Sequence, residues 1–225
     1  MDDTEFDRLL LAEAFAAIAA EGWPRFSIAA AARAAGLPLE RARLRFPRNA
    51  MVLIRFGRLA DAAALAGAPS EGSVRDRLFE MMMRRFDVLQ AHRAGVIALL
   101  RYLPFAPPLA ALLGCASLNS MGWLLEAAGV SARGPLGRVR AKGLLAVWLS
   151  AVRAWMSDES GDLAATMAAL DTALARAERA SRWLPGGSRH DAPAPDFPPS
   201  DDIPDHSADA PPPPETPDPG PGPEA

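Results

Sequence analysis

The sequence is poor in cysteine, lysine, tyrosine and histidine. Its 225 residues include one Cys, one Tyr and three His. A lone Cys115 excludes an internal disulfide and agrees with a reduced, cytoplasmic compartment. It has no basic neighbour to lower its pKa, so it reads as a small core residue. The one lysine, Lys142, makes arginine the default cation of the chain. His92, His190 and His206 are far apart, so no His/Cys/Glu cluster has the spacing of a metal site. A Gly-rich phosphate loop and a GxSxG elbow are missing, and Asp158 and Glu159 are adjacent, facing different ways on a helix. These absences argue against an enzyme, a bound metal and a cofactor. The start, MDDTEFD, is acidic without an apolar run, which argues against a signal peptide.

A long hydrophobic span is also lacking. Residues 102–125 carry no charge, but Pro104, Pro107 and Pro108 interrupt the beginning. The remainder, Leu109 to Leu125, includes Ser117, Asn119 and Ser120 and falls short of the roughly 20 apolar residues that cross a bilayer. A core helix lining a cavity is expected there, and no membrane span.

What is present is unevenly spread. The chain is 50% hydrophobic and 23% charged, with a net charge of −3. Residues 185–225 hold 14 of the 22 prolines and nine acids against Arg189, a net of −8. Residues 1–184 carry 23 basic and 18 acidic residues, a net of +5. The tail has too little apolar surface to offset its ordering entropy, so a disordered, Pro-rich acidic segment is expected. The body is long enough to bury one sizeable core.

That body reads as all-α. Ala, Leu, Arg and Glu dominate, and no run alternates with period two. The first helix spans about 3–20, with Leu11, Ala14, Phe15 and Ile18 on one stripe, and Gly22 ends it. Ser27 opens a short helix of about 27–35, Gly36 offers a left-handed cap, and Pro38 begins a second short helix to about 45. Further helices are expected at about 48–66, 73–90, 92–102, 109–128, 135–157 and 161–183. Ser73 and Asp76 have capping spacing, and Ser160 caps the last helix.

Charge concentrates near the N-terminus. Residues 25–58 hold eight arginines against Glu40, a net of +7, whereas residues 1–24 have one Arg against six acids. Arginines neutralise phosphates and read guanine edges. Two short helices around a Gly turn have helix-turn-helix spacing. The second carries Arg41, Arg43 and Arg45, expected in a DNA groove; Ser27, Arg48 and Asn49 are expected at phosphates.

The segment from Leu9 to Gly57 resembles the DNA-binding domain of the TetR family of bacterial regulators. FAAIAAEGW, Ser27, AARAAGL and RFP carry the resemblance. It implies a three-helix reader over residues 1–50, a ligand-binding and dimer-forming helical domain over 51–184, and the tail beyond. In that family a Ser or Thr opens the recognition helix where Pro38 stands here. An aromatic takes the place of Arg43, and a Lys that of Asn49. Guanidinium groups thus replace hydroxyl and aromatic phosphate contacts. VRDRLFEMMMRRFDVLQAHRAG and AWMSDESGDLAATMAALDTAL look like a second family, the lipid-binding accessory proteins of ubiquinone biosynthesis. They share the TetR-like fold and need not bind DNA.

Two further sites are expected. Met82, Phe86, Tyr102, Trp123 and Trp148 suggest a cavity for a small apolar ligand, although the same residues suit ordinary core packing. Gly143, Ala146 and Ser150 form a small-residue flank, and Leu163, Met167, Leu170 and Leu174 a two-helix seam. Together they suggest a homodimer built from four helices. The overall expectation is a TetR-like regulator that binds double-stranded DNA.

Overall fold

Asp2 starts the first helix by accepting the Glu5 N–H at 2.7 Å, and the apolar stripe behind it is buried: Phe6, Leu10, Leu11, Ala14, Phe15 and Ile18. A computed structural model describes residues 1–68 and 71–181 of the chain. The expected disorder of 185–225 lies outside the described residues. Nine α-helices and two short 3₁₀ turns, with no strand, make up the described residues. The helices are α1 (Asp3–Glu21), α2 (Ile28–Ala34), α3 (Leu39–Arg45), α4 (Ala50–Leu65) and α5 (Val74–Gln90). They continue as α6 (Arg93–Tyr102), α7 (Pro107–Ala127), α8 (Gly134–Ser157) and α9 (Ala164–Ser181).

Helices α1–α3 form a small head. Helix α4 leaves it and packs along α5 and α7; α8 packs on α7 and α9, and α5 also meets α9. One apolar core runs from Phe6 and Phe46 in the head to Trp155 and Leu170 in the body. Ser73 and Asp76 form the expected capping box, with Ser73 Oγ accepting Asp76 N–H and Asp76 accepting Ser73 N–H. Two boundaries move for local reasons. Helix α7 begins at Pro107 instead of 109, because prolines in a first turn forfeit no intrahelical bond. Helix α9 begins at Ala164 instead of 161, because the buried Leu163 adopts a left-handed backbone (φ 58°) just before it.

Head and body meet where α6 lies against α1. Gly95 makes that approach possible: a Cβ there would stand 2.2 Å from the Phe15 carbonyl oxygen. At the same junction His92 stacks on Phe15 and meets Phe56 edge-on, each ring centroid 5.5 Å away. Burial pushes the His92 pKa down, which keeps the imidazole neutral between the two rings. A buried polar cluster ties α4 to the body. Arg85 of α5, 4% exposed, pairs with Asp61 of α4, which accepts from Ser120 of α7 at 2.5 Å. The Arg85 guanidinium also lies over the Trp148 ring of α8 at 4.7 Å.

Helix α7 differs from the expected core helix. By length and composition it could cross a membrane. Only its second half is buried, through Ser120, Met121, Leu124 and Leu125. Cys115, expected in the core, is exposed on the first half.

Candidate nucleic-acid interface

The turn between α2 and α3 sets the head's geometry. Leu37 N–H reaches the Ala32 carbonyl at 2.8 Å and Gly36 N–H the Arg33 carbonyl at 3.1 Å, with Gly36 at φ 65°. This double closure needs a left-handed residue, which glycine adopts without a steric cost. The buried Leu37 anchors the turn, and Pro38 leads straight into α3.

Helix α3 then presents two faces. Ala42 points inward, and Arg41 and Arg45, one turn apart, point at α1. Arg41 donates to Asp3 at 2.5 Å and lies over the Phe6 ring at 4.7 Å. Arg45 grips Asp7 with two bonds of 2.6 and 2.7 Å and also reaches Asp3. Arg55 of α4 joins through Asp7 at 2.8 Å and the Arg45 carbonyl at 3.1 Å. The bond from Arg41, with Arg45 beside it, holds the Asp3 carboxyl below the usual carboxylate range. The bidentate Arg45–Asp7 pair has the strong geometry for such contacts. Arg41, Arg43 and Arg45, expected together in a DNA groove, therefore divide: two of the three are held by carboxylates of their own chain. The acidic start of α1, read only as a contrast in charge, supplies the partners.

The opposite face is open. Glu40, Arg43 and Leu44 are exposed, Leu44 at 81%. Arg43 donates to the Pro47 carbonyl at the helix end. Beside it lies a groove of about 330 Å³ lined by Ser27, Leu39, Ala42, Arg43, Phe46, Arg48 and Asn49, among others. Ser27 is exposed at the start of α2, and its side chain makes no capping bond. Arg48 is exposed and has no ion pair among the described residues. Asn49, expected at a phosphate, has another task. Its amide donates to the Phe26 carbonyl at 2.8 Å and accepts Ile28 N–H at 3.4 Å. It ties the start of α4 to the turn before α2 and so places Ser27 and Arg48 on one rim.

The other expected residues separate. Met82, Phe86 and Trp148 are buried together, with the Phe86 and Trp148 rings 4.7 Å apart. Tyr102 is half-buried at the end of α6, and Trp123 is 62% exposed, so the five do not line one cavity. Gly143, Ala146 and Ser150 lie on the outer face of α8 with Val139 and Leu149. The expected seam of α9 is instead used inside the protomer: Leu163, Leu170 and Leu174 are buried and Met167 half-buried. A leucine spacing of alternating three and four marks a helix seam without saying whose helix fills it. Here α8 and α5 of the same chain do.

No family model matches this sequence, and no curated protein does. Solved structures do resemble it. A TetR transcriptional regulator from Nitrosomonas europaea ATCC 19718 superposes with a TM-score of 0.63 at 19% identity, covering 80% of this chain and 99% of that one. A TetR-family transcriptional regulator from Streptomyces coelicolor gives a TM-score of 0.53 at 18% identity, covering 81% and 82%. With its helix-turn-helix head, its long α4 and its helical body, the chain has the fold of the TetR-family transcriptional regulators.

Proposed function

We propose that this chain is a transcriptional regulator that binds double-stranded DNA as a homodimer and releases it when a small apolar effector enters the body. The single observation that carries the reading is the outward rim of Ser27, Arg43 and Arg48 around the groove on a helix-turn-helix head. Ser27 and Arg48 serve as phosphate contacts, and Arg43 faces the groove of the duplex. Residues 1–50 act as the reader and 51–184 as the effector-binding and dimerising part. Asn49 is a positioning residue, and so are Arg41 and Arg45, through Asp3 and Asp7.

Binding is tested by fluorescence anisotropy on duplexes from the protein's own promoter region at two salt concentrations. Arg48 from each of two protomers gives two cationic phosphate contacts, hence a log–log salt slope of about −1.8 or steeper. Affinity then falls about 10-fold or more between 50 and 200 mM salt. A flat salt response would remove the assignment.

The dimer is proposed through the outer face of α8, where Val139 is 50% and Leu149 57% exposed beside Gly143, Ala146 and Ser150. Small residues let two such helices approach closely. Exposed apolar side chains on a rim of small ones are also what an isologous interface buries. Leu149→Arg is expected to convert the dimer to monomer in light scattering and to weaken DNA binding with it. A variant that stays dimeric places the interface elsewhere.

Release works by differential binding: an effector that prefers one arrangement of α4 shifts the population away from DNA. The Asp61–Arg85–Ser120 cluster supports this, since it joins α4 to α5 and α7 in the body. A lipid-carrying role without DNA binding has one observation in its favour, the exposed apolar first half of α7 with Leu112 at 41% and Phe105 at 81% just before it. Isoprenoid lipid retained in native mass spectrometry, together with no retardation of duplex DNA, is the outcome that selects it.

A further inference from the structure

The geometry points to a base-reading role for Leu44: it packs against the C5-methyl group of a thymine in the major groove, so each half-site carries a required T. This deepens the DNA-binding reading and rests on it. Four observations lead there. First, Arg41 and Arg45 are turned to α1 and held by Asp3 and Asp7, so the face left for a groove is made by Glu40, Arg43 and Leu44. Second, Leu44 is 81% exposed, far more than Leu39 at 39% on the same helix. Nothing in the head covers it, and a leucine gains its transfer free energy only when something does.

Third, Glu40 lies on the same face in the first turn of α3. A carboxylate there repels phosphates, so the start of this face does not lie along the backbone of the duplex. It is compatible with base edges, where the cytosine amino group donates and the thymine methyl is apolar. Fourth, the cationic and hydroxyl groups sit to one side, on the rim with Ser27 and Arg48, which is where phosphates are met. The occupant is thus a duplex whose backbone touches the rim and whose major groove faces Leu44. Arg43, beside Leu44, is in reach of a guanine as its neighbour on the same strand or the opposite one.

The experiment uses the full-length protein. Duplexes are selected from a random pool at one salt concentration. Each T of the selected half-site is then replaced by deoxyuridine, which removes the methyl group alone. One replacement is expected to weaken wild-type binding about fourfold, the burial of a single methyl, and the paired replacement in both half-sites about 15-fold. Leu44→Ala binds the T and deoxyuridine duplexes alike and no longer selects T at that position. Leu44 is exposed, so the variant keeps its melting temperature. If every deoxyuridine duplex binds wild type and Leu44→Ala with the same ratio, the thymine assignment fails while the regulator reading stands. If no duplex is retained from the pool at all, both fail.

Discussion

Replacing Arg43 and Arg48 together with alanine lowers affinity for duplex DNA about 1000-fold and leaves the fold intact. Four contacts per dimer, each at the roughly 1 kcal/mol net of a typical hydrogen bond, total about 4 kcal/mol. The salt slope should shrink in magnitude by about 1.8 at the same time, because the two Arg48 phosphate contacts release no counterions once removed. Both side chains are exposed and neither pairs with a carboxylate among the described residues, so the melting temperature should barely move. Arg45→Ala behaves in the opposite way. It removes both bonds to Asp7 and so costs stability first and DNA affinity only through the loosened helix. Anisotropy titrations beside thermal melts separate the two cases. A double variant with wild-type affinity would take Arg43 and Arg48 out of the interface.

The second large effect concerns the joint between head and body. Gly95→Ala places a methyl group 2.2 Å from the Phe15 carbonyl oxygen, 2.9 Å from its carbon and 3.0 Å from its Cα. The obstacle is backbone, so no rotamer change relieves it. Helix α6 must move off α1, and Phe15 and His92 lose their contact. Overpacking of this kind costs about 3 kcal/mol, which in a chain of this size lowers the melting temperature by about 6–12 °C. Gly57→Ala is the control: a Cβ there meets nothing within 4 Å, and the helix gains about 0.5–1 kcal/mol. Equal melting temperatures for the two variants would mean that α6 does not rest on α1 as described.

Much of this architecture was legible because its signals are local. Gly36 after AARAA, Ser73 three residues before Asp76, and the apolar stripe of Leu11, Ala14, Phe15 and Ile18 all specify structure within one or two turns. The nine expected helices appear within about three residues of their expected ends. Tertiary partners were harder to read. Asp3 and Asp7 are one turn apart, and so are Arg41 and Arg45, so each pair shares a face. Nothing in either spacing says that the two faces meet, about 38 residues apart in sequence. The same blindness affected α9, whose leucine seam looked available to a second protomer and is filled by α8 and α5. Arg85 and Asp61 show the complementary case. Each looks like an ordinary surface charge in a helical stretch, and only packing reveals that Arg85 is buried.

The carboxylates of α1 also act as built-in counterions. Three of the eight cations between residues 25 and 58, Arg41, Arg45 and Arg55, come with neutralising partners covalently tethered to the same chain. On the proposed reading they neutralise few further phosphates, so the salt dependence of binding should be smaller than the arginine content suggests. A seven-residue helix is also too short to persist by itself. With Arg41 and Arg45 tethered to Asp3 and Asp7, α3 is ordered without a duplex, so docking in the proposed complex should carry a smaller entropic penalty.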